Sequence, residues 1–382
     1  MNYSIACPVQ FGSGAISQLS NVLGGLGCKH VMFVTDNFVS SQSWYADCKT
    51  KLEQANIKVS QYNQCLPDPP DYTIVEIAKQ ARELMVDGLV AIGGGSVMDA
   101  AKGANILINN PGTPADYYFV PPENQKQGFP LVCIPTTAGT GSESTMYSII
   151  TDTKNNEKNV LIHPATVAIV DPELTLTAPP SVTANTGMDI FAHSIEAVTA
   201  GMRNPYSEAL ALDSIRRVVK YLPIAVATGS DIEARENLAA ASNLAGIAFN
   251  SSSTHIGHGI AHVLGVKYHI PHGIGCAMAS PETLRWTAEF LPREVKLIGE
   301  AMGLTFKGSE DNAEIGKKVA DAVLELMAKV GIPPLSKFCK SEEEAVSISG
   351  MILADPNVSR CPIPIDLRTI KEIMARIYSA QR

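Results

Sequence analysis

A chain of 382 residues exceeds what one hydrophobic core usually serves, so two domains are expected. A hydrophobic fraction of 45% and a charged fraction of 18% describe a compact globular protein, and the net charge of −8 offers no basic footprint for nucleic acid or a membrane surface. No apolar run reaches membrane-spanning length, the opening MNYSIACPVQ lacks a cationic segment leading into an apolar one, and the eight cysteines include no CxxC pair; the expectation is a cytoplasmic protein with reduced, mostly buried thiols.

Taken in chain order, the first half alternates strand-like and helix-like segments. GGLG at 24–27 reads as a plain loop, HVMFVTD at 30–36 as a strand ending in an acid, 40–55 as a helix and IKVSQY at 57–62 as a strand. Residues 71–86 carry helical periodicity, with Ile74, Ile77, Ala78, Ala81, Leu84 and Met85 on one face. GLVAI at 88–92 reads as a buried strand, GGGS at 93–96 as a turn and 97–108 as a helix, and LVCIP (131–135), YSIIT (147–151) and TVAIV (166–170) complete the strands. This alternation predicts a largely parallel sheet covered on both faces. Beyond Pro179-Pro180 the pattern is helical almost to the end, as in ENLAAASNLAGIAF at 236–249. The expected architecture is an α/β domain over 1–180 followed by an all-helical domain over 181–382.

Two small-residue loops follow strands directly. In GGGSVMDAAK (93–102) bare glycines and a helix N-terminus could receive a pyrophosphate. The GxGxxG fingerprint is not met, because Met98 takes the last glycine's place and the candidate ribose-binding acid, Asp36, precedes the glycines. On spacing alone the stretch still reads as a phosphate loop, ahead of a plain strand–helix turn. PTTAGTGSE (135–143) offers Thr136, Thr137 and Thr140 as donors at a second strand end, and ligands of open α/β sheets bind outside such ends.

The helical half carries a different chemistry. GMDIFAHSIEAV (187–198) sets Asp189 and His193 at i, i+4, one turn apart on a shared face. HIGHGIAHVLGVKYHIPH (255–272) holds five of the eight histidines, with His258 and His262 again at i, i+4. Carboxylate and imidazole with no thiolate suit Fe2+, Zn2+ or Mn2+. Spacing leaves open which of His255, His258, His262, His269 and His272 bind. Glu196 reads as a solvated face charge more readily than as a partner of the site.

GGGSxxDxAK, PTTAGTGSE, GMDxxxHxIEA and the HGIAHVLG…IPHG pair occur together in the order shown by the iron-containing (group III) alcohol dehydrogenases, lactaldehyde reductase and 1,3-propanediol dehydrogenase among them. The chain resembles that family along essentially its whole length. The resemblance implies a dinucleotide-binding α/β domain and a helical metal domain, in the manner of dehydroquinate synthase-like proteins. It implies Asp189, His193, His258 and His272 as metal ligands, with His262 beside the substrate as a proton relay. For the cofactor it implies Asp36 at the adenosine ribose, Gly94, Gly95, Ser96 and Asp99 in the glycine loop, Thr136, Thr137, Thr140 and Thr145 in the threonine loop, and Lys158 and Leu174 as further contacts. The acid at Asp36 favours NAD over NADP, since it would repel a 2′-phosphate. The chain departs from the family's pattern at Asp68, often Asn, and at Cys361-Pro362-Ile363, where members show Asn-Pro-Arg.

The implied activity is reversible hydride transfer between a small alcohol or aldehyde and NAD, with one divalent metal, Fe2+ ahead of Zn2+, as Lewis acid. A homodimer or higher homo-oligomer is expected. The competing readings are a metal-dependent lyase or cyclase on the same scaffold and a non-catalytic NAD-bound metal sensor. Lactaldehyde, propanediols, butanol and ω-hydroxy acids all remain open as substrates.

Overall fold

The computed structural model describes residues 3–380. It divides into two compact units, one comprising Ile5–Thr137 and Gly141–Thr177, the other Ala138–Thr140 and the chain from Ala178 onward.

The first unit is built on a six-stranded parallel sheet. Its strands are β1 (Val9–Phe11), β2 (His30–Val34), β3 (Lys58–Tyr62), β4 (Gly88–Gly93), β5 (Leu131–Pro135) and β8 (Val167–Val170), in the order β1-β8-β5-β4-β2-β3. The central strands are apolar throughout because both faces are covered. Alternate residues face two separate cores. Met32, Val34, Leu89, Ala91, Leu131 and Cys133 pack with Ile74, Ile77, Ala78 and Ala81, whereas Val31, Phe33, Val90, Ile92, Val132 and Ile134 pack with Leu19, Leu23, Tyr45 and Leu52. Those partners lie on α4 (Asp71–Glu83) in the first core, and on α1 (Leu19–Gly25) and α3 (Ser43–Gln54) in the second; the short α2 (Asn37–Ser40) follows β2, and α5 (Gly95–Asn109) follows β4.

Four expectations are corrected here. The helix 71–86 stops at Glu83: Leu84 caps it and Met85 turns left-handed (φ 52°), so Leu84 and Met85 leave the buried face and are 40% and 84% exposed. YSIIT belongs not to the main sheet but to an antiparallel pair, β6 (Tyr147–Asp152) with β7 (Glu157–Ile162), the latter a strand whose charged start hides its pattern. The helix after GGG begins at Gly95 rather than 97: Gly93 ends β4, Gly94 caps the helix and Gly95 opens it. GGLG is the end of α1 and its left-handed exit at Gly27 (φ 79°) rather than a plain loop.

The second unit is helical: α6 (Pro180–Thr199), α7 (Pro205–Ala227), α8 (Ile232–Ser252), α9 (Ile256–Tyr268), α10 (His272–Thr287), α11 (Pro292–Ala301), α12 (Asn312–Val330), α13 (Glu342–Ser347), α14 (Ser349–Ala354) and α15 (Leu367–Ala380). Among the described residues no strand follows Val170. Pro180 opens α6 at a position where its missing N–H costs nothing. Asn204, Asp231 and Asp311 cap α7, α8 and α12 through side-chain bonds to first-turn amides. α6, α7, α8, α11 and α12 share one apolar core, and α9 and α13 to α15 share another; α10 contributes to both, with Ala277, Leu284 and Ala288 at its end of the first and Met278, Ala279 and Trp286 in the second. All eight cysteines are free, seven of them buried and Cys361 partly so.

Candidate functional site

In the sheet unit the chain runs from β2 outward to β3, then returns to the other side of β2 for β4 and continues to β5. The strand order therefore reverses between β2 and β4, and the carboxyl edge at such a reversal is where open α/β sheets bind ligands. Asp36 follows β2, Gly94, Gly95 and Ser96 follow β4, and Thr136 and Thr137 follow β5, all at that edge. Asp36 Oδ1 accepts from Val39 N at 2.8 Å, capping α2. Gly94 is the N-cap of α5 with no side-chain cap, and a Cβ there would stand 3.4 Å from Thr137 Oγ1. Thr136 N donates to Gly93 O at 3.0 Å, tying the two loops together.

The remaining residues expected at the cofactor play visible structural parts. Asp99 accepts from Ser142 Oγ at 2.7 Å and Ile149 N at 3.1 Å. Thr145 is buried with its hydroxyl 3.4 Å from Lys102 Nζ, Ser142 O and Tyr147 O. Lys158 Nζ donates to Asp68 Oδ1 at 2.5 Å, and the left-handed Asp68 (φ 52°) donates its N–H to Ser96 Oγ at 3.1 Å. Leu174 is buried in the sheet's apolar core. Thr140 lies in the short segment grouped with the helical unit. Sequence reasoning missed Lys102, which is fully buried with its ammonium on Ser142 O and Oγ, Thr145 O and Tyr147 O at 2.5–2.9 Å. A buried charge needs such a set of acceptors, and they fix the threonine loop to α5.

In the helical unit α6 carries Asp189 and His193, α9 carries His258 and His262, and α10 opens on His272. Asp189 Oδ1 lies 3.5 Å from His272 Nε2, 3.8 Å from His258 Nε2 and 3.9 Å from His193 Nδ1. Bonds of about 2.1 Å to a tetrahedral metal give neighbouring ligands a spacing of roughly 3.4 Å, within about half an ångström of these distances. Asp189 Oδ1, His193 Nδ1 and His258 Nε2 are buried and make no hydrogen bond. Burial of unsatisfied polar atoms is costly, so their convergence fits a cation that completes them. The donor chemistry and spacing match a metal ion.

The thiol of Cys276 also enters this group: one donor atom each of Asp189, His258, His272 and Cys276 lies within 4.8 Å of all the others. A sulfur donor thus stands beside the carboxylate and imidazoles that the sequence pattern singled out. The signal was in the sequence, since His272 and Cys276 are a third i, i+4 pair, but buried cysteines are usually inert core residues. The reading of Glu196 as a solvated face charge is corrected. It is 4% exposed, and its carboxylate accepts from His255 N at 3.0 Å, Gly257 N at 2.6 Å and His258 Nδ1 at 2.5 Å. That network assigns the proton of His258 to Nδ1 and leaves the Nε2 lone pair facing Asp189.

The electrostatics follow. Burial alone would raise Glu196, but facing His255 and His258 and accepting these bonds holds it far below the usual carboxylate range. Burial alone would likewise raise Asp189, and His193, His272 and His258 pull it down. Burial lowers His193 to about 4 and lowers His272 too, which keeps both rings neutral and able to donate lone pairs. For His258 the lowering by burial is outweighed by the Glu196 carboxylate, and its value rises. The Cys276 thiol is pushed up by burial and by the Asp189 and Glu196 carboxylates.

His262 stands beside the group, its ring stacked on His272 with centroids 5.5 Å apart and its Nδ1 3.0 Å from Asp355 Oδ2. His255 is a buried structural residue, bonded through Nε2 to Thr199 Oγ1 at 2.9 Å. His269 is left-handed (φ 56°) at the C-cap of α9 and turns the chain toward α10.

Two family models divide the chain: iron-containing alcohol dehydrogenase over residues 8–172, and the C-terminal part of the Fe-containing alcohol dehydrogenase family over residues 183–378. Among curated relatives, the NAD-dependent methanol dehydrogenase of Bacillus methanolicus is 36% identical over 80% of this chain and 81% of its own. The 1,3-propanediol dehydrogenase of Citrobacter freundii is 34% identical over 96% of each chain. A crystal structure of 1,3-propanediol oxidoreductase superposes with a TM-score of 0.93 at 31% identity, covering 98% of this chain and 99% of that one.

Proposed function

The chain belongs to the iron-containing alcohol dehydrogenase family, and from that premise we propose that it interconverts a small alcohol and its aldehyde or ketone with NAD(H), using one divalent metal held by Asp189, His193, His258 and His272. The observation that carries the metal reading is the convergence of three buried, unpartnered donor atoms on α6 and α9. When bound, the metal would supply Lewis-acid polarisation of the substrate oxygen and the nicotinamide would carry the hydride. Iron is favoured by the family, with zinc the other ion that these ligands suit.

The chain's own residues do the rest. Glu196 fixes the His258 tautomer through Nδ1 and so keeps Nε2 available as a ligand. Asp355 engages His262 at Nδ1, leaving Nε2 to take the hydroxyl proton during oxidation and return it during reduction. At the sheet edge, Asp36 has a carboxylate suited to a ribose hydroxyl, and the uncapped first turn of α5 suits a pyrophosphate. An anionic residue in that place disfavours a 2′-phosphate, which supports NAD over NADP. The names of the relatives, methanol and 1,3-propanediol dehydrogenases, point to small primary alcohols as the first substrates to try. No helix among the described residues is long and apolar enough to cross a membrane. A cytoplasmic homo-oligomer is part of the proposal.

The test is NADH absorbance across a panel of small alcohols and aldehydes, with elemental analysis of the same sample. We expect NAD-linked turnover, faster than with NADP, from protein holding one iron or zinc per chain. His258→Ala should lose both metal and turnover. Full metal content and normal rates in that variant would remove the assignment. Metal and NAD bound with no response across the panel would favour a lyase, a cyclase or a sensor instead.

A further inference from the structure

We propose that Cys276 is a ligand of the metal centre, giving this protein a sulfur-containing donor set that prefers zinc to iron. The proposal rests on the metal reading above, adds a residue that reading does not include, and moves the preferred ion from iron to zinc. Cys276 lies one turn along α10 from His272, so the helix that brings one donor to the centre brings the other. Its Sγ is 3.7 Å from His272 Nε2, and it lies within 4.8 Å of the donor atoms of Asp189 and His258. A metal–sulfur bond of about 2.3 Å beside metal–nitrogen bonds of about 2.0–2.1 Å gives sulfur–nitrogen edges near this length.

The surroundings point the same way. Cys276 is fully buried, and the unpartnered Asp189 Oδ1 and His258 Nε2 lie beside it, with side chains only 5% exposed. His193 Nδ1, also unpartnered, reaches Asp189 Oδ1 at 3.9 Å, yet His193 falls outside the group whose donor atoms are all mutually within 4.8 Å. Cys276 thus offers a further donor to the centre, beside His193. Coordination breaks the S–H bond, forms a metal–sulfur bond and releases one proton to solvent, with no change of oxidation state. Thiolate is a soft ligand that selects zinc over ions served by oxygen and nitrogen alone.

The experiment replaces the resident metal with Co2+ in the full chain and records its absorption spectrum, with metal content measured in parallel. We expect an intense sulfur-to-cobalt charge-transfer band in the near ultraviolet, absent from Cys276→Ser and Cys276→Ala at equal cobalt content. We also expect both variants to lose selectivity for zinc over iron, because the soft donor that favours zinc is gone. X-ray absorption at the zinc edge of the unmodified protein gives the same answer without a variant, as a sulfur scatterer at about 2.3 Å. One cobalt per chain with visible d–d bands and no charge-transfer band would overturn the thiol while leaving the centre intact. Failure to retain any cobalt or zinc would overturn both readings.

Discussion

Glu196 offers a way to disturb the proposed metal centre without replacing a ligand. Its two oxygens collect three donors from the start of α9, so it sets both the tautomer of His258 and the position of the helix that carries it. Glu196→Gln keeps the shape but turns an amide NH2 toward those donors and removes the charge that favours the His258 proton. Such partners are typically worth 10- to 100-fold in metal affinity, so a chelator-competition titration should read a loss of about that size. An unchanged affinity would mean that Glu196 serves only the fold. Asp189 and His193 are legible as a pair in the sequence alone, because their i, i+4 spacing lies within one helix. The partners of Glu196 are not legible there, because they sit on another helix and include two backbone amides, which no side-chain pattern records.

At the scale of elements, the approach of α10 to the start of α6 determines whether His272 can meet Asp189. Gly273 permits that approach: a Cβ there would stand 2.0 Å from Asn185 O and 2.9 Å from Asn185 C. Those are backbone atoms, so neither side can move by a rotamer change. Ile274 N also donates to Asn185 Oδ1 at 2.9 Å, fixing the same junction. Gly273→Ala should therefore separate the two helices, cost about 1–3 kcal/mol by overpacking and weaken metal retention. Urea denaturation and elemental analysis read the two effects; normal values in both would show that the junction is softer than its distances indicate. The apolar runs of β2, β4 and β5 are legible because buried parallel strands have nothing else to show. β7 is not, since EKNVLI pairs only with β6 and has a charged start in place of a continuous apolar run. The end of α4 is misleading because Leu84 and Met85 continue the apolar period after the backbone has turned away.

For the molecule as a whole, a half-buried histidine in the sheet unit gives a pH signature. His163 Nε2 receives the Asn105 amide at 2.9 Å, and burial, aided by the Lys102 charge, lowers its pKa from 6.5 to about 4. The unfolded chain therefore binds a proton in this window that the folded chain refuses. Its contribution to stability is full above pH 6.5 and is lost as pH falls toward about 4. His163→Gln keeps an acceptor for Asn105 and removes the titration. The urea midpoint of the variant should fall less steeply than that of the parent between these limits, and parallel curves would exclude His163 as the cause.

The three i, i+4 pairs on α6, α9 and α10 also bear on the order in which the helical unit matures. No single helix holds more than a fragment of the ligand set, and Asp189 is separated from His258 by all of α7 and α8. Closing so long an intervening segment costs entropy that only the docking of the helices returns. A chain still emerging or partly folded thus presents isolated pairs, which hold an ion weakly, and the full cage exists only when the last of the three helices seats. Capture of an ion at the proposed centre is then expected to follow the docking of the three helices, and a metal held there would latch a structure already made.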